Sequence, residues 1–264
     1  MCTLIVAHHV HPAFPVVIAA NRDEFYARPS TSPLVLSQHG PRIVGGRDGA
    51  KGGTWMGVND RGLFVGITNQ RTWHAADPTL RSRGDVVMGV LAQTSPDAMV
   101  STVRSFDATT YNPFNLLFGD ADAMYVAYFR HESPSIAVLP LPRGLHVLPN
   151  DVLDSREFPK VERAIACVTP ALDGSFDELK LAMKSALRDH TKSPLTMLPL
   201  PPSDALFPPE IVRELSALCI HTPVYGTHSA SFIALEPGRV AQYEFAVGPS
   251  CEHPFVDVRP LLDA

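Results

Sequence analysis

Cys2 stands directly behind the initiator methionine, and a small second residue allows that methionine to be removed. The thiol and a free α-amino group would then belong to one residue. An α-amino group titrates near ~8 and a free thiol near ~8.5, so the neutral amine can take the thiol proton and activate the sulfur. An ordinary cysteine opening a buried strand, Thr3-Leu4-Ile5-Val6-Ala7, fits the same position. The chemistry therefore rests on what stands nearby. Asn21-Arg22-Asp23-Glu24 directly follows a second apolar run. If the two runs pair as a hairpin, Arg22 and Asp23 lie beside Cys2, where a cation lowers a thiol pKa and a carboxylate holds the ammonium. A solvated turn is the alternative reading of the tetrapeptide. Asn69 and Asn150 also end apolar runs. An amide there can donate to a developing oxyanion, although asparagine after a strand commonly serves only a turn.

Other polar groups are weaker candidates. His9 and His11 share one face of a strand with His8 opposite, and no convergent ligand motif joins them. They read as structural or surface residues. Trp55 and Trp73 could each line a pocket, with core packing the readier account of Trp55. Cys167, Cys219 and Cys251 show no C-x-x-C spacing, so neither a disulfide scaffold nor a structural zinc site is expected, and the thiols should be reduced and mostly buried.

The elements that must position these residues follow from patterning. Residues 2–9 and 14–20 read as strands joined through His11-Pro12. Residues 40–53, with six glycines, read as turns, and no phosphate-binding loop is present. Asn59-Asp60-Arg61-Gly62 between apolar runs at 54–58 and 63–68 predicts a β-hairpin. Helices are expected over 84–92 and 96–106, the second with Ser95 as N-cap and Pro96 at its first position. A meander of four strands follows between 115 and 148, then helices at 156–168 and 176–189, the latter opened by the capping box of Ser175 and Glu178. Six prolines in 191–209 predict an extended loop before a short helix at 209–218 and strands at 229–236 and 239–247. Strands with short turns, interleaved with helix pairs, predict antiparallel sheets covered by helices.

Composition narrows the function. The 264 residues carry a formal charge of −5 with signs interspersed and an apolar fraction of 45%, which suits one large domain, 1–264, and offers nucleic acid no basic patch. The apolar run from Ala13 to Ala20 is interrupted by Pro15 and falls short of the ~20 residues of a membrane span. No basic n-region precedes it, so a cytoplasmic location is the expectation.

Taken in order, these residues resemble a family. Met1-Cys2-Thr3-Leu4, Asn21-Arg22-Asp23-Glu24, Gly52-Gly53-Thr54-Trp55-Met56-Gly57-Val58-Asn59, Ser82-Arg83-Gly84 and Tyr111-Asn112-Pro113-Phe114-Asn115-Leu116 look like the blocks of the NRDE family, also called the Transport and Golgi Organisation protein 2 family. That family is similar to N-terminal nucleophile (Ntn) hydrolases of the cholylglycine hydrolase and penicillin V acylase type. The resemblance implies an α+β fold, a four-layer αββα sandwich with two antiparallel β-sheets. It puts Cys2 in the nucleophile position, Asp23 where the amine is held, Arg22 near the site arginine, Asn69 at the oxyanion and Asn150 at the second asparagine. Gly226-Thr227-His228-Ser229 departs from the family's Gly-Thr-Arg-Ser, so His228 replaces an always-charged fork with a group often neutral near pH 7. Two functions are implied. One is hydrolysis of a non-peptide carbon–nitrogen or thioester bond in a small-molecule substrate, needing no cofactor and no metal. The other is haem binding and trafficking, or lipid and acyl-CoA homeostasis, on the same scaffold.

Overall fold

Alternation along the first two strands sets up the layers. In β1 (Cys2–His8) and β2 (Val16–Phe25), Leu4, Val6, Val16, Ile18 and Ala20 enter one core, whereas Ile5, Ala7, Val17 and Ala19 enter another. Successive side chains of a strand point to opposite faces, so a sheet built on these two strands must be covered on both sides. The structure is a computed structural model that describes residues 2–263; the expected removal of Met1 lies outside the described residues.

The strands that follow are β3 (Ser30–Ser37), β4 (Ile43–Asp48), β5 (Met56–Asn59) and β6 (Phe64–Asn69). After helices α1 (Arg83–Leu91) and α2 (Pro96–Ser105) come β7 (Phe114–Gly119), β8 (Met124–Phe129), β9 (Ala137–Pro140) and β10 (Gly144–Leu148). Helices α3 (Pro159–Val168), α4 (Phe176–Ala186) and α5 (Pro209–Glu214) precede β11 (Tyr225–Glu236), β12 (Arg239–Ala246) and the short β13 (Val256–Asp257).

Two antiparallel sheets result. One has the order β10-β1-β2-β11-β12-β13; the other is a meander from β3 to β9 interrupted only by the α1–α2 pair. Leu4, Val6 and Ile18 meet Val44, Phe64 and Leu117 between the sheets. Val86, Val90, Met99 and Val103 from α1 and α2 cover the outer face of the meander, and Val161, Ala164, Leu179 and Met183 from α3 and α4 cover the other sheet. The architecture is the four-layer αββα sandwich.

Local signals account for the boundaries. Ser95 accepts the Ala98 N–H at 3.3 Å with Pro96 behind it, and Ser175 and Glu178 form their capping box. Gly62 takes φ +77° in the turn joining β5 to β6, a conformation that glycine adopts without a Cβ penalty. Three expectations need correction. The glycine-rich segment 40–53 is not only turns: Ile43–Asp48 is a strand. Its glycines serve close approach, because a Cβ on Gly46 would lie 2.2 Å from the Trp55 indole. The strand expected from 229 starts at Tyr225, and Tyr225, Gly226 and Thr227 pair with Phe25, Glu24 and Asp23 at the polar end of β2. Finally, the thiols are not mostly buried. Only Cys219 is buried, Cys2 is intermediate, and Cys167 and Cys251 are exposed. Cys167 lies on α3 outside its buried row of Lys160, Val161, Ala164 and Val168, and Cys251 falls in a surface turn.

Gly46→Ala is expected to destabilise the fold by about 1–3 kcal/mol, as overpacking does. Urea unfolding checks this, and the loss should be absent in Gly89→Ala on α1, where a Cβ meets only the Phe106 ring at an ordinary 3.5 Å.

Candidate functional site

The β1–β2 register places Cys2 opposite Arg22 and Thr3 opposite Asn21. Burial pushes the Cys2 thiol up; the Asp23 carboxylate adds to this, and the Arg22 charge opposes it. A thiol held above its ordinary range needs a base to become a nucleophile. Arg22 itself is 5% exposed. Its guanidinium lies 4.2 Å from the Trp55 ring centroid and donates to Ser30 Oγ at 3.1 Å. Trp55 is therefore more than core. It is a platform for the site's arginine, and the Gly46 backbone makes room for it.

Asp23 lies one residue further along β2, 1% exposed. Thr227 Oγ1 donates to its Oδ1 at 2.7 Å, and the Tyr225 hydroxyl donates to its backbone carbonyl at 2.9 Å. Burial raises the Asp23 carboxyl pKa, and the ammonium of Lys160 is the first influence opposing it. Lys160 is 1% exposed, and its Nζ has no hydrogen-bond partner among the described residues. Burial lowers its pKa, while the charges of Asp23 and Cys2 hold it up. Asn21, by contrast, is committed to structure, with Nδ2 donating to the carbonyls of Leu187 and Leu218 at 2.8 and 2.9 Å.

The two candidate asparagines meet from opposite sheets. Asn150 Nδ2 donates to the Asn69 carbonyl at 2.8 Å, and the Asn150 carbonyl accepts the Arg71 N–H at 2.8 Å. Thr68 Oγ1 donates to the Pro149 carbonyl at 2.7 Å, and Asn115 Nδ2 donates to the Asp151 carbonyl at 2.7 Å, which fixes the loop after β10. Buried Asn150 Oδ1 accepts no hydrogen bond among the described residues.

His228 sits at the β-bulge where the pairing of β11 with β2 skips from Thr227–Asp23 to Ser229–Arg22. Its ring lies 6.4 Å from that of Tyr26. Burial, and then the Arg22 charge, lower its pKa, so the imidazole is neutral near pH 7. It does not line the clefts described next. His8 and His11 use ring nitrogens on the carbonyls of Pro142 and Gly174 at 2.8 and 3.2 Å. The His8 and His9 rings lie 4.4 Å apart, and His11 does not join them in a cluster of metal-ligating groups among the described residues.

Cys2, Arg22, Asp23, Asn69 and Arg83 line one polar cleft of about 230 Å³. It shares Glu24, Arg28, Asn69 and Arg83 with an adjoining cleft of about 280 Å³ whose wall includes Phe25, Trp73, Phe158, Lys160, Leu206 and Phe207. The proline-rich loop closes this second cleft, with Leu206 N donating to the Trp73 carbonyl at 2.6 Å. Trp73 holds φ +67°, a backbone state costly for a bulky side chain. Arg28 pairs with Asp48 and Arg71 with Glu157, but half-buried Arg83 has no ion-pair partner within 4.0 Å among the described residues.

Residue-by-residue reading missed Lys160 and Arg83. Lys160 carried a signal, since it lies four and eight residues before Ala164 and Val168 in the buried row of α3. Arg83, at the start of α1, carried none beyond its place in a motif.

Two antiparallel sheets packed face to face between helix pairs make the Ntn-hydrolase fold. The structure is similar to that of a mutant conjugated bile acid hydrolase from Clostridium perfringens, with TM-score 0.52 at 12% identity over 99% of this chain and 94% of that one. It is also similar to the N-acylethanolamine-hydrolyzing acid amidase orthologue of Caenorhabditis elegans, with TM-score 0.57 at 12% identity over 90% and 93%. The chain belongs to the Transport and Golgi organisation 2 family, whose sequence profile matches residues 1–246. The human Transport and Golgi organization protein 2 homolog is 27% identical over 255 residues, and the mouse homolog 26% over 251, each alignment covering 89% of both chains. No helix among the described residues is long and apolar enough to cross a membrane.

Proposed function

We propose that this protein is a cysteine hydrolase of the Ntn type, acting on an amide or thioester that joins an apolar acyl group to a polar or anionic leaving group. The observation that carries this reading is the placement of Cys2 in a polar cleft with Arg22, Asp23 and Asn69, beside a second, aromatic-lined cleft. With Met1 removed, the α-amine takes the Cys2 proton as sulfur attacks the carbonyl. The Asn69 amide donates to the oxyanion, and the amine returns the proton to the departing nitrogen or sulfur. Water then cleaves the acyl thioester on Cys2. Asp23, held by Thr227, orients the ammonium form, while the positive charge of Lys160 favours the neutral amine that the first step needs. The aromatic cleft receives the acyl group, and Arg83 faces the anionic part of the substrate.

Intact-protein mass spectrometry before and after a mild thiol-reactive probe tests the foundation. A mature mass lacking Met1, with fast labelling mapped to Cys2, is expected, followed by turnover in acyl-amide and acyl-thioester screens. A retained Met1 or an inert Cys2 overturns the reading. For an accepted anionic substrate, Arg83→Leu should raise KM at least tenfold with kcat little changed, the signature of lost uniform binding. Equal loss in kcat would place Arg83 in the chemistry instead.

Haem binding is a second reading, and His74 favours it. This exposed imidazole stands in the wall of the aromatic cleft with Arg71, where an axial ligand and a propionate partner would be needed. A saturable Soret shift at micromolar protein, lost in His74→Ala, is the expected result; a titration without saturation rejects it.

A further inference from the structure

The scattered later cysteines and histidines do not stay apart in the fold. Cys219 and His221 flank Ile220 before β11, Cys251 lies in the turn after β12, and His190 follows α4. One ligand atom from each of the four lies within 4.8 Å of the others, and it is the sole such cluster of three or more His, Cys, Asp or Glu side chains among the described residues. Cys219 Sγ is 3.6 Å from Cys251 Sγ, and His221 Nε2 is 3.5 Å from the first sulfur and 3.4 Å from the second. Bond lengths of about 2.3 Å to sulfur and 2.0–2.1 Å to nitrogen make the edges of a tetrahedral zinc site roughly 3.8 Å between sulfurs and about 3.6 Å from sulfur to nitrogen. Three edges of such a tetrahedron are thus already drawn. The His190 ring, 5.0 Å from that of His221, is on an exposed loop and closes the fourth vertex by side-chain rotation.

We propose that Cys219, Cys251, His221 and His190 form a structural site for a divalent cation of the zinc class. Two thiolates and two imidazoles are the donor set this borderline-soft ion prefers, and four protein ligands leave no open position for catalysis. The far side of His221 agrees with this, because its Nδ1 faces Glu252 Oε1 at 3.6 Å. A carboxylate behind a metal-bound imidazole fixes its tautomer and orientation. A disulfide would need the sulfurs to close to about 2.05 Å. It would use two of the four groups and leave both imidazoles facing it without a role.

The ion would tie three separate segments to the catalytic strand. Cys219 N donates to the Asp189 carbonyl at 2.9 Å, which anchors the His190 loop. Ile220, between two of the ligands, donates its N–H to Thr227 Oγ1 at 2.9 Å and accepts the Thr227 N–H at 2.8 Å. The same Thr227 hydroxyl holds Asp23. The cation is therefore a clamp on the loop that positions Asp23, and it stands apart from Cys2.

Cobalt titration of the untagged, reduced full chain tests this, in a Cys2→Ala background that removes the N-terminal thiol as a competing ligand. One Co²⁺ per chain is expected, with thiolate charge-transfer absorption and the d–d bands of a tetrahedral centre, all displaced by Zn²⁺. Zn²⁺ should also raise the Tm. Cys251→Ser, at an exposed position that spares the core, should abolish the bands, as should Cys219→Ser if it folds. Glu252→Gln should keep their shape but weaken affinity roughly 10- to 100-fold. Bands that persist in Cys251→Ser would overturn the assignment. So would a reduced chain that takes up no Co²⁺ at micromolar metal, including one that without reductant yields a Cys219–Cys251 disulfide.

Discussion

Cys2→Ala is expected to abolish probe labelling at the N-terminus and to lower turnover of any accepted substrate by on the order of 10⁴- to 10⁶-fold, the scale seen when a nucleophile is deleted from an interdependent site. The fold should survive. Cys2 is only partly buried, and its strand is held through pairing on both sides, Leu4 to Leu148 and Leu4 to Ala20. An unchanged thermal transition with lost turnover is the informative combination. Turnover that survives in Cys2→Ala would remove the thiol from the mechanism and leave the aromatic cleft as a binding site alone. Cys2→Ser separates the contributions further. A hydroxyl keeps the geometry but has a much higher pKa than a thiol, so the same α-amine activates it poorly.

The second large effect concerns Asp23 and Lys160, each 1% exposed. Breaking a buried charge pair by removing one partner costs about 3–5 kcal/mol, because the other charge is left uncompensated. Lys160 acts on Asp23 by charge without an ion pair to it within 4.0 Å, and Arg22 and the Thr227 hydroxyl also support the carboxylate. Lys160→Met should therefore destabilise the protein by less than that in urea unfolding. Asp23→Asn combined with Lys160→Met should recover part of it, since the buried carboxylate that Lys160 supports is then gone. The pH dependence carries a definite sign. Burial raises the Asp23 pKa and Lys160 opposes that rise, so deleting Lys160 lets the pKa climb further. A carboxyl whose folded pKa exceeds its unfolded value gives stability fully present below the unfolded pKa and lost as pH rises through the folded one. The Lys160→Met deficit should thus be smallest in acid, stay level while both proteins keep Asp23 protonated, and widen as pH rises from the folded Asp23 pKa of the parent protein toward the higher one of the variant. A deficit independent of pH would mean that Lys160 serves by packing its stem, not by its charge.

What the sequence by itself determined is local. Period-two alternation in β1 and β2, the Ser95 and Ser175 caps and the Asn59–Gly62 turn dictate strands, helices and a hairpin from neighbours in the chain. The adjacency of Cys2 to Arg22 and Asp23 follows from the same source, since one tight connection between two apolar runs forces the pairing. Motif order extended this to the family and its αββα layers. Everything that joins distant segments was decided by the tertiary structure. The Lys160 charge acts on Asp23 because α3 packs on the sheet that carries β2, and Arg83 reaches the cleft because α1 starts at its rim. The proline-rich loop becomes a cleft wall only when Leu206 docks on Trp73. Cys219 and Cys251 are separated by two strands in the chain and by 3.6 Å in space. Spacing rules for metal and disulfide sites read only ligands that share a loop or a helix face. Convergence of ligands from three segments comes from how sheets and helices stack, and that depends on the whole core.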